Sequence, residues 1–207
     1  MAWRASDTPG MAVAEWVDLD AVVAAACAGD EAAFVVLFRE VQPRLLRYLR
    51  TLSGADAEDI AGETWVQVIR GLPRFSGDAQ GFRGWVFTIG HARMVDAWRA
   101  SGRRPETASD TLPDRASELD VHRSAEEIIS TESALALLGQ LPEAQAQVLL
   151  LRVVAGLDVS MTAAVLGHTP NHVRVLAHRG LRALAAVLEE RAASPVMQLA
   201  PATVCKS

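Results

Sequence analysis

The chain is poor in cysteine, with only Cys27 and Cys205 among 207 residues. Neither has a second thiol nearby, so no disulfide framework and no Cys-x-x-Cys zinc site can be read. Cys27 stands in an alanine-rich apolar run and reads as a small core residue, and Cys205 as a free thiol in a tail. Aromatic residues are scarce at 5%, whereas hydrophobic residues make up 50%. Ala, Val and Leu carry that apolar bulk, with no strand-like alternation, which points to an all-α fold. No apolar run reaches the ~18 residues of a membrane span, and MAWRASDTPG has no apolar signal core. The expectation is a soluble, cytoplasmic protein without membrane insertion; Met11 is a second candidate start. There is no Gly-rich phosphate loop, Ser-His-Asp pattern or paired-His metal motif, so no catalytic residue, cofactor or metal is nominated. Basic charge is also in deficit, 20 Lys and Arg against 25 Asp and Glu. That balance argues against nucleic-acid binding driven by overall charge, but not against a local basic face.

What is present is helical periodicity in two blocks. Residues 1–17 carry Ser, Asp, Pro and Gly without a period and read as a loose arm. Asp18 can cap a first helix through Ala28, closed by Gly29. Asp30 caps a second, with Phe34, Leu37, Phe38 and Val41 at helical spacing. Pro43 should kink it or open a fresh helix to Leu52. In DAEDIAGETWVQVIRGL, residues 56–72, Ile60, Ala61, Thr64, Trp65, Val68 and Ile69 gather on one side. Asp59, Glu63, Gln67 and Arg70 gather on the other, a pattern that by itself describes only a solvated face. The polar stretch PRFSGDAQG, 73–81, reads as a loop, and FRGWVFTIGHARMVDAWRA, 82–100, as a helix with a basic end. Its aromatics are expected in the core. Residues 101–124 lose the period and read as a flexible linker between two small helical domains, 18–100 and 125–190. The second domain is expected to hold helices at about 126–139, 142–155, 158–166 and 170–190. A disordered tail, 191–207, follows.

The second block contains the sharper local signal. Asp158 can cap a short helix ending at Gly167, and Thr169 with Pro170 opens the next helix. Two short helices joined by a glycine-bearing turn describe a helix-turn-helix. Projected at about 100° per residue, Val173, Leu176, Ala177, Gly180, Ala183 and Leu184 form the inner stripe. Asn171, Arg174, Val175, His178 and Arg182 face outward, flanked by His172 and Arg179. Donors, cations and one methyl-sized group suit a helix lying in a major groove. A histidine metal cluster fits less well: His168 precedes the cap, and no Cys, Asp or Glu completes a site. Plain helix packing accounts for the same geometry without any DNA.

Over residues 18–190 the chain resembles an extracytoplasmic-function RNA polymerase sigma factor of the sigma-70 family. DAEDIAGETWVQVIRGLPRF resembles the family's DAEDLVQETFLRAW…F segment, and FRGWVFTIGHARMVDAWR its R-x-W-L-x-x-I-A-x-N-x-x-x-D-x-x-R. LPEAQAQVLLLRVVAGL…AAVLG…VRVLAHRGLRAL resembles its region 4. The resemblance implies a core-polymerase surface at Asp59, Glu63, Gln67 and Arg70, meeting the beta-prime and beta subunits. It implies capture of a flipped −10 base by Ser76, Gly77, Asp78 and Gln80, with Arg83, His91, Arg93 and Arg99 along the strand backbone. The −35 duplex would be read by Thr169, Asn171, His172, Arg174, Val175, His178, Arg179 and Arg182. Many relatives are held by an anti-sigma factor clamped between the domains; nothing in this sequence marks such a surface.

Departures from the family pattern bear on these roles. Gly62 replaces a usual Gln and should cost up to ~1 kcal/mol of helix stability. Ala92 stands where Asn is frequent, and Ser160 and Met161 replace an acidic pair. Leu176 replaces a frequent Arg and is assigned to the core. Two other readings fit parts of the pattern. A stand-alone helix-turn-helix regulator gives no reason for residues 56–99, and a helical interaction protein would leave the second block merely structural.

Overall fold

The computed structural model describes residues 18–102 and 135–193. The arm 1–17, nearly all of the linker 101–124 and the residues after 193 lie outside them, as does most of the helix expected over 126–139. Among the described residues the fold is all-α, and no helix is long and apolar enough to cross a membrane.

Local chemistry sets the first two helices. Asp18 caps α1 (Leu19–Cys27) by accepting from the amides of Asp20 and Ala21, and Asp30 caps α2 (Glu31–Ser53) through Ala32 and Ala33. Each side chain satisfies amides that a helix start leaves without partners. Helix α2 runs through Pro43 without a break, contrary to the expected kink or restart. Pro43 and Arg39 are both exposed, so the Arg39 carbonyl that loses its amide partner faces water, which offsets part of the usual penalty. Leu37, Val41, Leu45, Tyr48 and Leu49 line the buried side of α2.

Helix α3 (Ala57–Gly71) packs between α2 and α4 (Ala79–Ser101). Trp65 anchors it, donating from Nε1 to Gln42 Oε1 at 2.5 Å and meeting the Phe34 and Phe38 rings. Ile69 does not join this buried side; it is 53% exposed. It sits at the edge of the apolar stripe near the helix end, where nothing covers it. Helix α4 begins three residues earlier than expected, at Ala79. Its N-cap is Asp78, whose carboxylate accepts from the Gly81 amide at 2.7 Å.

In the second half, residues 135–139 form α5, followed by α6 (Glu143–Leu149). The apolar run does not continue as a regular α-helix. Leu150–Val154 adopt a π-helical turn, and Arg152 closes it by donating to the Leu157 carbonyl at 2.7 Å. Helix α7 (Val159–Leu166) is capped by Asp158 through Met161, and ends at Gly167 with φ of 64°, a left-handed conformation that glycine adopts freely. Helix α8 (Pro170–Ala193) follows.

The two halves are packed together. Helix α4 lies against α7, and the π turn lies against α2. A single apolar cluster runs from Leu45, Leu49 and Phe87 to Leu138, Leu149, Leu151 and Leu157. Val148, Ala163, Val173 and Leu176 form a smaller cluster inside the second half. Leu176 is 7% exposed, as its place on the inner stripe requires.

Candidate nucleic-acid and partner interfaces

Three surfaces gather the residues nominated from sequence. The first is the outer side of α3, where Asp59, Glu63, Gln67 and Arg70 are all exposed. Val66 at 48% exposure and Ile69 share this side, giving it an apolar strip among the charges. Sequence projection missed both. The signal available was their i, i+3 spacing between Glu63 and Arg70, which places them over the polar face as readily as under it. Gln67 accepts from Arg93 Nε at 3.1 Å, so this side of α3 is tied to α4. Gly62 is exposed, with open space around the position of a side chain.

The second surface is the turn into α4. Ser76, Gly77 and Asp78 are exposed in the connection, and Gln80 lies in the first turn of the helix. Phe75 anchors the connection by stacking on Trp85 at 5.0 Å, with Phe82 edge-on at 5.7 Å. Trp85 and Trp98 are half-buried, and Phe82 and Phe87 are buried. A second tie comes from α1, where Asp20 accepts from the Ala79 amide at 2.8 Å. The connection is thus held at both ends, leaving Ser76 and Gly77 outermost. The signal for the earlier helix start was Asp78 itself, a good cap residue three places before an amide it could accept from.

The basic candidates along α4 divide. Arg99 is exposed and only loosely paired with Asp96, at 3.4 Å. Arg93 is bound to Gln67 and lies 3.9 Å from Asp96. Arg83 is turned inward: its side chain is 12% exposed and pairs with Glu40 at 2.9 Å. His91 is also turned inward, its Nδ1 sharing a 2.8 Å hydrogen bond with the hydroxyl of the fully buried Tyr48. Burial holds the His91 imidazole below its ordinary pKa, and the charge of nearby His168 adds to that. Desolvation pushes the Tyr48 phenol up, and Glu143 adds to it. The structure therefore does not present Arg83 and His91 as a free cationic edge beside Arg99.

The third surface is the outer face of α8. Asn171, His172, Arg174, Val175, His178, Arg179 and Arg182 are all exposed. Thr169 caps the helix through its hydroxyl, which accepts from the His172 amide at 3.2 Å. Among the described residues no hydrogen bond or ion pair engages the Arg174, Arg179 or Arg182 side chains. His168 and His172 meet edge to face at 4.8 Å, a contact that the position of His168 ahead of the cap did not suggest.

Residues 37–104 match the Sigma-70 region 2 family, and residues 131–184 match Sigma-70, region 4. The chain is 37% identical over 173 residues to the ECF RNA polymerase sigma factor SigD of Mycobacterium tuberculosis (strain ATCC 25618 / H37Rv), covering 80% of this chain and 82% of that protein. Two solved structures share the fold. CnrH in complex with the cytosolic domain of CnrY has a TM-score of 0.57 at 24% identity, covering 84% of this chain and 99% of that one. Sigma factor RpoE in complex with the anti-sigma factor NepR, from Bartonella quintana, has a TM-score of 0.55 at 18% identity, covering 75% and 96%.

Proposed function

Because the chain belongs to the extracytoplasmic-function (ECF) RNA polymerase sigma factors, we propose that its three exposed surfaces divide the work of starting transcription at chosen promoters. As a sigma factor it binds core RNA polymerase and directs promoter-specific initiation, a regulatory rather than a catalytic role. The outer side of α3 docks on core polymerase, with Val66 and Ile69 supplying apolar contact between Asp59, Glu63, Gln67 and Arg70. The Ser76–Gln80 connection takes an unstacked base of the −10 element, and Arg99 meets the strand backbone. The outer face of α8 lies in the major groove of the −35 element and works in the cytoplasm, where polymerase and promoter meet.

The observation that carries this reading is the state of α8. It presents three unpaired guanidinium groups and an exposed Asn171 on a capped, preformed helix. Arg bidentate to guanine and Asn to adenine are the pairings that read base edges there. The deficit of basic charge is no obstacle, since two modest contacts held in one polymerase complex act through effective concentration.

Reconstituted transcription with core polymerase and promoters chosen by genome-wide selection tests the reading. Initiation that depends on both the chain and the promoter supports it. DNA binding by an isolated dimer, with no polymerase-dependent initiation, would instead support the stand-alone regulator.

A further inference from the structure

Helix α1 lies outside residues 37–104, the span matched by the region 2 family, yet it reaches the connection assigned to the −10 base. It packs on the short turn Leu72–Arg74 and on α4, the elements at the two ends of that connection. A polar bond crosses this contact: Asp20 Oδ1 accepts from the Ala79 amide at 2.8 Å, across 59 positions of sequence. Ala79 is the first residue of α4, so its amide is one that the helix itself leaves without a partner. Asp78 serves the Gly81 amide instead, at 2.7 Å. The start of α4 is therefore capped twice, once by its own neighbour and once from another helix.

The two caps act differently. Asp78 holds α4 in helical form from within, whereas Asp20 fixes where that helix begins relative to α1. Asp20 is itself set in place. Asp18 accepts from its backbone amide at 3.1 Å, and Val23 and Ala26 anchor α1 in the core. At the other end of the connection the Phe75 ring is stacked on Trp85. Only Ser76, Gly77 and Asp78 separate the two anchors. A carboxylate beside a DNA strand repels its phosphates. Asp20 therefore suits a role toward the protein, where an amide and the positive end of the α4 dipole both favour its charge.

We propose that Asp20 is a positioning residue for capture of the −10 base: through the Ala79 amide it holds the start of α4, and with it Ser76 and Gly77, where the base is received. The proposal rests on the sigma-factor reading of the Ser76–Gln80 connection. Asp20 touches no DNA in this arrangement and acts through Ala79. Its contribution falls on the step in which the base leaves the stack, and not on the −35 contact or on docking to polymerase.

The two partners of the bond can be removed separately. Asp20→Ala deletes the acceptor, Asp20→Asn keeps one in its side-chain oxygen, and Ala79→Pro deletes the donor. Proline suits the first position of a helix, so Ala79→Pro leaves α4 intact. Each full-length variant is bound to core polymerase on a promoter carrying 2-aminopurine within the −10 element. Closed-complex affinity and the rate of the fluorescence rise on unstacking are read separately. Asp20→Ala and Ala79→Pro should each slow the rise about fivefold, the scale of one hydrogen bond, with closed-complex affinity unchanged. The double variant should be no slower than either single one, and Asp20→Asn should recover most of the rate. An unchanged rate in Asp20→Ala, multiplied losses in the double variant, or an Asn variant as slow as Ala would each overturn the proposal. So would a fall in closed-complex affinity matching the fall in rate. If the unmodified chain opens no promoter, the sigma reading fails and takes this role with it. Amide exchange across residues 75–82 then still judges the bond itself, which stands if Asp20→Ala speeds exchange there and falls if it does not.

Discussion

The two halves of the molecule prepare their polar groups for work in opposite ways. In the first half, several of the −10 candidate side chains are already spent: Asp78 caps α4, Arg93 holds Gln67, Arg83 holds Glu40, and His91 is bonded to Tyr48. In the second, the outer face of α8 has its guanidinium groups unpaired. The difference suits the two kinds of target proposed for them. A duplex groove presents a fixed pattern of donors and acceptors, so a rigid helix with free cations can read it directly. An unstacked base has to be taken from its neighbours, which costs a few kcal/mol, and a connection pinned at both ends loses less entropy in receiving it.

That contrast can be broken by substitution. The largest expected effect is at the polymerase face: Glu63→Lys should weaken core binding by about two orders of magnitude, as charge reversals at interfaces do. Arg174→Ala should leave core binding intact and lower −35 affinity by about 1–3 kcal/mol. Titrating labelled core polymerase and promoter duplex against each variant separates the two, and equal losses in both assays would collapse the division of labour. Next in size, Asp78→Ala removes the α4 cap and should cost about 1 kcal/mol of stability. Thermal unfolding measures that loss, and −10-dependent initiation should fall with it while −35 binding does not. If initiation is untouched, the pinned connection is not the strand-capturing element.

A smaller effect should appear with pH. His91 has its folded pKa depressed by burial, so the folded chain favours the neutral ring. Its stabilising contribution is present above about pH 6.5, the ordinary histidine value, and is lost as pH falls below it. Unfolding followed at pH 7.5 and 5.5 should show a drop in midpoint that shrinks in His91→Gln. The smallest change is a gain. Gly62 lies mid-helix with open space around it, so Gly62→Ala should stabilise α3 by up to ~1 kcal/mol without altering core affinity.

Features set by chemistry within a few residues were legible in advance. Asp18, Asp30, Asp158 and Thr169 all cap the helices they precede. Leu176 points inward because its neighbours at helical spacing do, which also accounts for its departure from the family's arginine. Period alone failed at Ile69, where the apolar stripe outruns the surface that covers it. It failed at Gln80 as well, because a polar, glycine-bearing stretch looks like a loop until its cap is recognised. The packing of α4 on α7 had no local signal. Gly84 and Met161, which meet there, reveal nothing of each other in sequence until the backbone brings them together.

The π turn at Leu150–Val154 ends its helix one residue wider than an α turn, with the Ala155 amide donating to the Leu150 carbonyl at 3.0 Å. Deleting a single residue there should let the ladder close as ordinary α-helix, absorbing the loss within the turn, so that Asp158 and α7 keep nearly their present direction. The turn is thus a place where the chain can shed a residue without re-aiming the helices that follow.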